Sequence, residues 1–133
     1  VKAYFDTSAI VKLGQLEPES QAVIDYLDDL QPSAFTSVVA DVEVRRTLER
    51  WRALGADTTE HLRGFFQIDL SRDIRDLAAK IAPGLRSLDA IHVATALSLE
   101  VDLDFVTYDD RQAAAARDAG LRVVQPGRPI TRS

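Results

Sequence analysis

The chain has no cysteine, so disulfide bridges and thiolate metal sites are excluded, and a reducing cytosol is its natural setting. Nothing near its start resembles a secretory signal. The opening apolar run from Ala3 to Leu13 is interrupted by Asp6 and Lys12 and is too short to span a bilayer. A soluble, intracellular protein is therefore expected. Three glycine signatures are also missing. There is no Gly-x-x-x-x-Gly-Lys-Ser/Thr and no Gly-x-Gly-x-x-Gly, which removes the common nucleotide-binding folds. There is no Gly-x-Ser-x-Gly elbow either, which argues against a serine-hydrolase triad. Lysine is scarce: of 16 basic side chains only Lys2, Lys12 and Lys80 are lysine. Arginine's planar fork suits phosphate recognition, and a GC-rich genome produces the same bias.

What is present fits one ordinary globular domain. With 133 residues, 46% of them hydrophobic and 28% charged, the chain can build a core without covalent staples. No internal repeat, low-complexity tract or linker divides it. The net charge of −5 speaks at first against a nucleic-acid partner. Four of the acids, however, fall at positions that suggest a single site, and without them the chain is close to neutral.

Strand and helix patterns alternate along the sequence. Strands are expected at Lys2–Phe5, Ala34–Ser37, Phe66–Leu70, Asp104–Tyr108 and Arg122–Val124. A short helix should run from the first strand to about Leu13. A second should span Glu17 to Leu30, with Pro18 in its first turn. A third should run from Val38 to about Leu54 along a Val44, Leu48 and Trp51 stripe, closed by Gly55. Another begins near Thr58, capped by Asp57 or Thr58. Ser71 should cap a helix reaching Pro83-Gly84, Ser87 should open one to about Glu100, and the last should span about Arg111–Ala119. The tail beyond Val124 reads as mobile. Repeated strand–helix units imply an α/β fold: a three-layer αβα sandwich around a parallel sheet of four to five strands.

In such sheets ligands gather beyond the carboxyl ends of the strands. Asp6 directly follows the first strand, and Asp109 follows the Asp104–Tyr108 strand. Glu43 lies early in the helix after the second strand, and Asp89 in the first turn of the helix opened by Ser87. That helix is apolar nearly all round, with Leu88, Ala90, Ile91, Val93, Ala94, Ala96, Leu97 and Leu99, so it should be buried. A carboxylate there needs compensation, part of it from the helix N-terminus and the rest from a cation. Each acid also has an ordinary structural use as a turn residue, cap or surface ion pair. Gathered at one edge, they would repel one another unless a divalent cation joined them, and hard oxygen donors suit Mg²⁺ or Mn²⁺. His92 reads as a hydrogen-bonded structural histidine and not as a ligand. Arg86 and Arg111 flank two of the acids and are the candidates for phosphate contact. The run Arg45-Arg46 and Arg50-Arg52 reads as an exposed helix face paired with Glu49.

The segments Tyr4-Phe5-Asp6-Thr7-Ser8-Ala9, Thr36-Ser37 with Glu43, Leu88-Asp89-Ala90-Ile91-His92-Val93-Ala94-Thr95-Ala96, and Thr107-Tyr108-Asp109 occur in the order found in PIN domains. From Lys2 to about Val124 the chain resembles the VapC toxins of VapBC toxin–antitoxin pairs. The resemblance implies a bacterial or archaeal, cytoplasmic, Mg²⁺-dependent endoribonuclease that forms a homodimer and is inhibited by a cognate VapB-type antitoxin. It puts the catalytic and metal-binding acids at Asp6, Glu43, Asp89 and Asp109. Ser8 and Thr107 match hydroxyl positions that orient ligands or waters, and Asp110 adds a fifth acid beside Asp109. One or two Mg²⁺ ions, replaceable by Mn²⁺, would then activate water for attack on an RNA phosphodiester. Two other acidic Mg²⁺ folds fit less well. A receiver domain needs a late-strand lysine, and none lies beyond Lys80. A haloacid-dehalogenase-type phosphatase needs an Asp where Ser8 stands. The remaining alternative is a catalytically silent PIN-like module that binds RNA or protein.

Overall fold

The computed structural model describes residues 1–14, 16–50 and 62–129. Five strands are hydrogen-bonded in the order β3-β2-β1-β4-β5, all parallel. They are β1 (Lys2–Phe5), β2 (Ser33–Ser37), β3 (Phe65–Ile68), β4 (Asp104–Val106) and β5 (Arg122–Val124). The described helices are α1 (Thr7–Gly14), α2 (Ser20–Leu30), α3 (Val39–Arg50), α4 (Arg72–Ala78), α5 (Ser87–Ser98) and α6 (Asp110–Asp118). The sheet is the middle layer of an αβα sandwich. The helix expected from Thr58, and the Trp51–Gly55 end of the preceding one, lie outside the described residues.

The two-residue period of the central strands divides the core in two. On one face Ala3 and Phe5 of β1 and Val106 of β4 pack against Ile10 of α1, Val23 of α2, and Val44 and Leu48 of α3. On the other, Tyr4 and Phe105 stack with ring centroids 5.4 Å apart and meet Val93 and Ala96 of α5 and Ala116 of α6. Burial on both faces is why β1 and β4 read as nearly continuous apolar runs rather than alternating ones.

Several element ends differ from the sequence expectation, each for a local reason. Helix α2 begins at Ser20 because Glu17–Glu19 form a turn in which the Ser20 hydroxyl accepts from the Glu17 N–H. Ser71 does cap α4, accepting from Ile74 N at 3.2 Å, but the helix stops at Ala78. Ile81 and Leu85 continue the apolar spacing beyond it and pack into the second core cluster from irregular backbone. Pro83 disfavours helical geometry at Ala82, whose φ is +34°. Arg45 pairs with Asp41 one turn earlier, not with Glu49.

The described residues after β5, 125–129, are tied to the rest of the domain. Gln125 donates to the Thr107 carbonyl at 3.0 Å, Tyr108 donates to the Pro126 carbonyl, and Arg128 pairs with Glu19 at 3.1 Å. Gly127 permits this docking. Its φ is +89°, and a Cβ there would lie 2.8 Å from that of Ala22. No described helix is long and apolar enough to cross a membrane.

Candidate active site

The strand order reverses between β1 and β4, and the cleft opens at their carboxyl ends. Register pairs Phe5 with Val106, so the next residues, Asp6 and Thr107, face each other across the switch point. The ladder ends there because its next N–H groups serve the site. Tyr108 N donates to Ser8 Oγ at 2.9 Å and Asp109 N to Thr107 Oγ1 at 3.1 Å. This is why β4 ends at Val106 rather than at Tyr108.

Asp6 is buried and held by four donors. Its Oδ1 accepts from Ser8 Oγ at 2.7 Å and Ala9 N at 3.0 Å. Its Oδ2 accepts from Thr107 Oγ1 and, at 3.1 Å, from Gln112 Nε2. Burial nevertheless pushes the Asp6 carboxyl up, outweighing the positive charge of a protonated His92 and the hydrogen bonds from Thr107, Ser8 and Ala9. Gln112 is fully buried, and its Oε1 is the buried side-chain polar atom without a partner among the described residues.

Glu43 reaches the cleft from α3. Its Oε1 accepts from Thr7 Oγ1 at 2.8 Å and lies 2.8 Å from His92 Nε2. The opposite ring nitrogen, Nδ1, is 2.7 Å from the Tyr4 hydroxyl. Burial pushes the Tyr4 phenol well above its ordinary pKa, so the hydroxyl keeps its proton beside the imidazole. Burial also opposes ionisation of Glu43. The hydrogen bond and charge of His92, the Thr7 hydroxyl and Arg86 outweigh it and hold the carboxyl below its usual value.

Asp89, in the first turn of α5, and Asp109, the N-cap of α6, are joined by one side chain. Arg86 Nε donates to Asp89 Oδ2 at 3.0 Å and Arg86 Nη2 to Asp109 Oδ2 at 3.3 Å. The other Asp109 oxygen caps α6, accepting from Gln112 N at 3.0 Å. The guanidinium pKa is raised by the hydrogen bond and charge of Asp89 and by the charges of Asp109 and Glu43.

Asp6, Glu43, Asp89 and Asp109 all line one cleft of about 350 Å³, together with Thr7, Ser8, Arg86 and His92. Asp110 does not: its side chain is exposed and pairs with Arg128. Arg111 does not line the cleft either. Arg128 does, from the docked C-terminal segment, as do Lys12 and Glu17. Sequence reading passed over Gln112 and the Tyr4–His92–Glu43 chain. Gln112 carries no local signal, because only the closing of the sheet brings it to Asp6. His92 is the buried, hydrogen-bonded histidine expected from the sequence, 1% exposed, and what the sequence did not reveal is that its partner is the cleft acid Glu43.

As these side chains stand, no three acidic or imidazole groups among the described residues surround a point that could hold a metal ion. Arg86 fills the gap between two of the acids, and each Asp6 oxygen already accepts two hydrogen bonds. The donor chemistry still fits a hard divalent cation: carboxylate oxygens and hydroxyls, no sulfur, and a pair of acids that already requires positive charge between them.

Residues 3–118 match the model of the PIN domain family. The chain is 43% identical over 129 residues to Ribonuclease VapC46 of Mycobacterium tuberculosis, covering 92% of this chain and 96% of that protein. It is 39% identical over 130 residues to Ribonuclease VapC35 of the same species, covering 93% and 96%. Among solved structures it resembles M. tuberculosis VapC20, described as a sarcin-ricin loop cleaving toxin, with TM-score 0.73, 18% identity and coverage of 94% and 100%. A toxin–antitoxin complex from Klebsiella pneumoniae matches with TM-score 0.72, 24% identity and coverage of 94% and 98%. The chain belongs to the PIN domain family and groups with its VapC members.

Proposed function

From that membership, we propose that the chain is the ribonuclease toxin of a VapBC-type toxin–antitoxin pair, and that Asp6, Glu43, Asp89 and Asp109 hold the Mg²⁺ it uses. The observation that carries this reading is convergence: acids from the end of β1, from α3, from the first turn of α5 and from the cap of α6 line one cleft at the switch point. Four carboxylates packed around one space without a cation would work against folding.

Bound Mg²⁺ or Mn²⁺ supplies Lewis acidity, which activates water and offsets charge building up on the scissile phosphate. The chain's own residues do the positioning. Ser8, Thr107, Gln112 and the Ala9 N–H fix the plane of the Asp6 carboxylate. Thr7 and His92 aim Glu43, with His92 steadied in turn by Tyr4. Arg86, which lines the cleft with a largely exposed side chain, is the cation best placed to meet an RNA phosphate, and Arg128 lines the same cleft. Arg111, outside the cleft, would touch only RNA that runs on past α6.

The same reading extends to partners and setting. A cognate VapB-type antitoxin would cover the cleft, and a second copy of the chain would complete a homodimer in the cytoplasm. Exposed Val42 and Leu88 flank a groove beside the acids and give an antitoxin segment an apolar foothold.

The test is Mn²⁺ binding by calorimetry to antitoxin-free protein, comparing the parent with Asp6→Asn and Asp89→Asn. Saturable binding that both substitutions weaken, with both variants folded, supports a shared metal site. A folded parent that binds no Mn²⁺ contradicts it and favours a catalytically silent RNA- or protein-binding module.

A further inference from the structure

Arg86 is 69% exposed in its side chain, yet it is not spread over the surface as a solvated arginine would be. It folds back across the cleft and binds one oxygen each of Asp89 and Asp109, two acids 20 positions apart on different helices. The backbone sets this up. Arg86 is the N-cap residue of α5 with φ −64° and ψ 149°, an extended geometry, and its side chain makes no capping bond. It is therefore free to reach outward, and Asp89 is one helical turn further on. Asp109 is anchored separately by capping α6 through its other oxygen.

We propose that Arg86 is a built-in counter-cation of the metal site, one that occupies the carboxylates when no metal is bound and releases them when a divalent cation enters. This rests on the metal reading given above and adds a regulator to it. Asp89 Oδ2 and Asp109 Oδ2 are the two oxygens the guanidinium holds. A metal ion and the guanidinium compete for those two oxygens, so each weakens the other, and by linkage the weakening is reciprocal. Once displaced, the arginine remains tethered at the mouth of the cleft with all its donors free for a phosphate. Exposure of the side chain makes the exchange easy, since the released guanidinium returns to water and not to an apolar interior.

Three protein preparations test this: the parent, Arg86→Gln and, as a charge control, Arg111→Gln, each titrated with Mn²⁺ by calorimetry and melted with and without Mn²⁺. Loss of two ion pairs whose arginine is largely exposed predicts that Arg86→Gln binds Mn²⁺ about three- to tenfold more tightly than the parent. Arg111→Gln removes the same charge from an exposed site off the cleft and should stay within about twofold of the parent. In the absence of metal Arg86→Gln should melt below the parent, and saturating Mn²⁺ should close that gap. Unchanged or weaker binding by Arg86→Gln, with the parent binding normally, overturns the proposal and leaves the metal site standing. Equal tightening by Arg111→Gln overturns it too, since the effect would then be net charge alone. No binding in any of the three overturns both readings.

Discussion

Replacing Asp6 by asparagine removes a charge from a pocket that keeps all four of its hydrogen-bond donors. In the parent, Ser8, Ala9, Thr107 and Gln112 surround a carboxylate that burial has nonetheless pushed above its ordinary pKa. The native state therefore holds its proton to higher pH than the unfolded chain, whose aspartate titrates near about 3.9. The Asp6 contribution to the stability of the metal-free parent then falls as pH rises from about 3.9 to the folded value, and levels off above it. The asparagine variant has no proton to lose, so the comparison isolates this one group. Across that window each pH unit can shift the balance towards the variant by at most about 1.4 kcal/mol. We expect a net relative gain for Asp6→Asn between pH 4 and pH 7. The new amide also finds an acceptor: if the Gln112 side chain turns over, its unpartnered Oε1 faces position 6. Asp6→Ala behaves differently, because it strands the Ala9 N–H and the Gln112 amide and costs about 2–4 kcal/mol. Urea denaturation in a chelator at both pH values reads these differences. A variant that loses ground to the parent as pH rises would refute the reasoning, since Asp6 would then be stabilised as an anion by its donors alone.

Other perturbations have equally definite outcomes. Glu43 has a depressed pKa, so its contribution is present above the unfolded value of about 4.3 and is lost as pH falls through the lower folded one. Glu43→Gln should accordingly be less stable than the parent by about 1 kcal/mol at pH 7, with the gap closing in denaturant titrations as pH falls below the unfolded value. Gly127 and Gly120 have nearly the same backbone, φ +89° and +92°, but only Gly127 lies against a neighbour. Gly120→Ala should cost about 1 kcal/mol from conformation alone. Gly127→Ala should cost more, because the added methyl meets Ala22, and limited proteolysis should show the C-terminal segment released.

The fold was legible because its signals are local and repeated. Lys2–Phe5 and Arg122–Val124 are found where the apolar pattern puts them. Turn residues after strands placed Asp6 and Asp109 at a shared edge, and parallel topology brought Glu43 and Asp89 to it. What stayed hidden depends on tertiary closure. Leu85 and Ile81 keep a helical rhythm without a helix, because the core needs their side chains whatever their backbone does. Tyr108 belongs by composition to β4, but its N–H is taken by Ser8. The sequence did not separate Asp109 from Asp110. In the structure the first caps α6 facing the cleft, and the second turns out to Arg128. The hydrogen bonds that hold Asp6 and Glu43 link residues as far apart as 106 positions, a distance at which no spacing rule applies.

On the proposed reading, the four cleft acids act together, through a divalent cation, to cut RNA. Purified antitoxin-free protein, incubated with a total-RNA pool in Mg²⁺, in chelator and as the folded Asp89→Asn variant, tests it most directly. Discrete cleavage products are expected with Mg²⁺ for the parent, with loss of cleavage in chelator and in the variant. Cleavage that persists in chelator, or undiminished in Asp89→Asn, would contradict it.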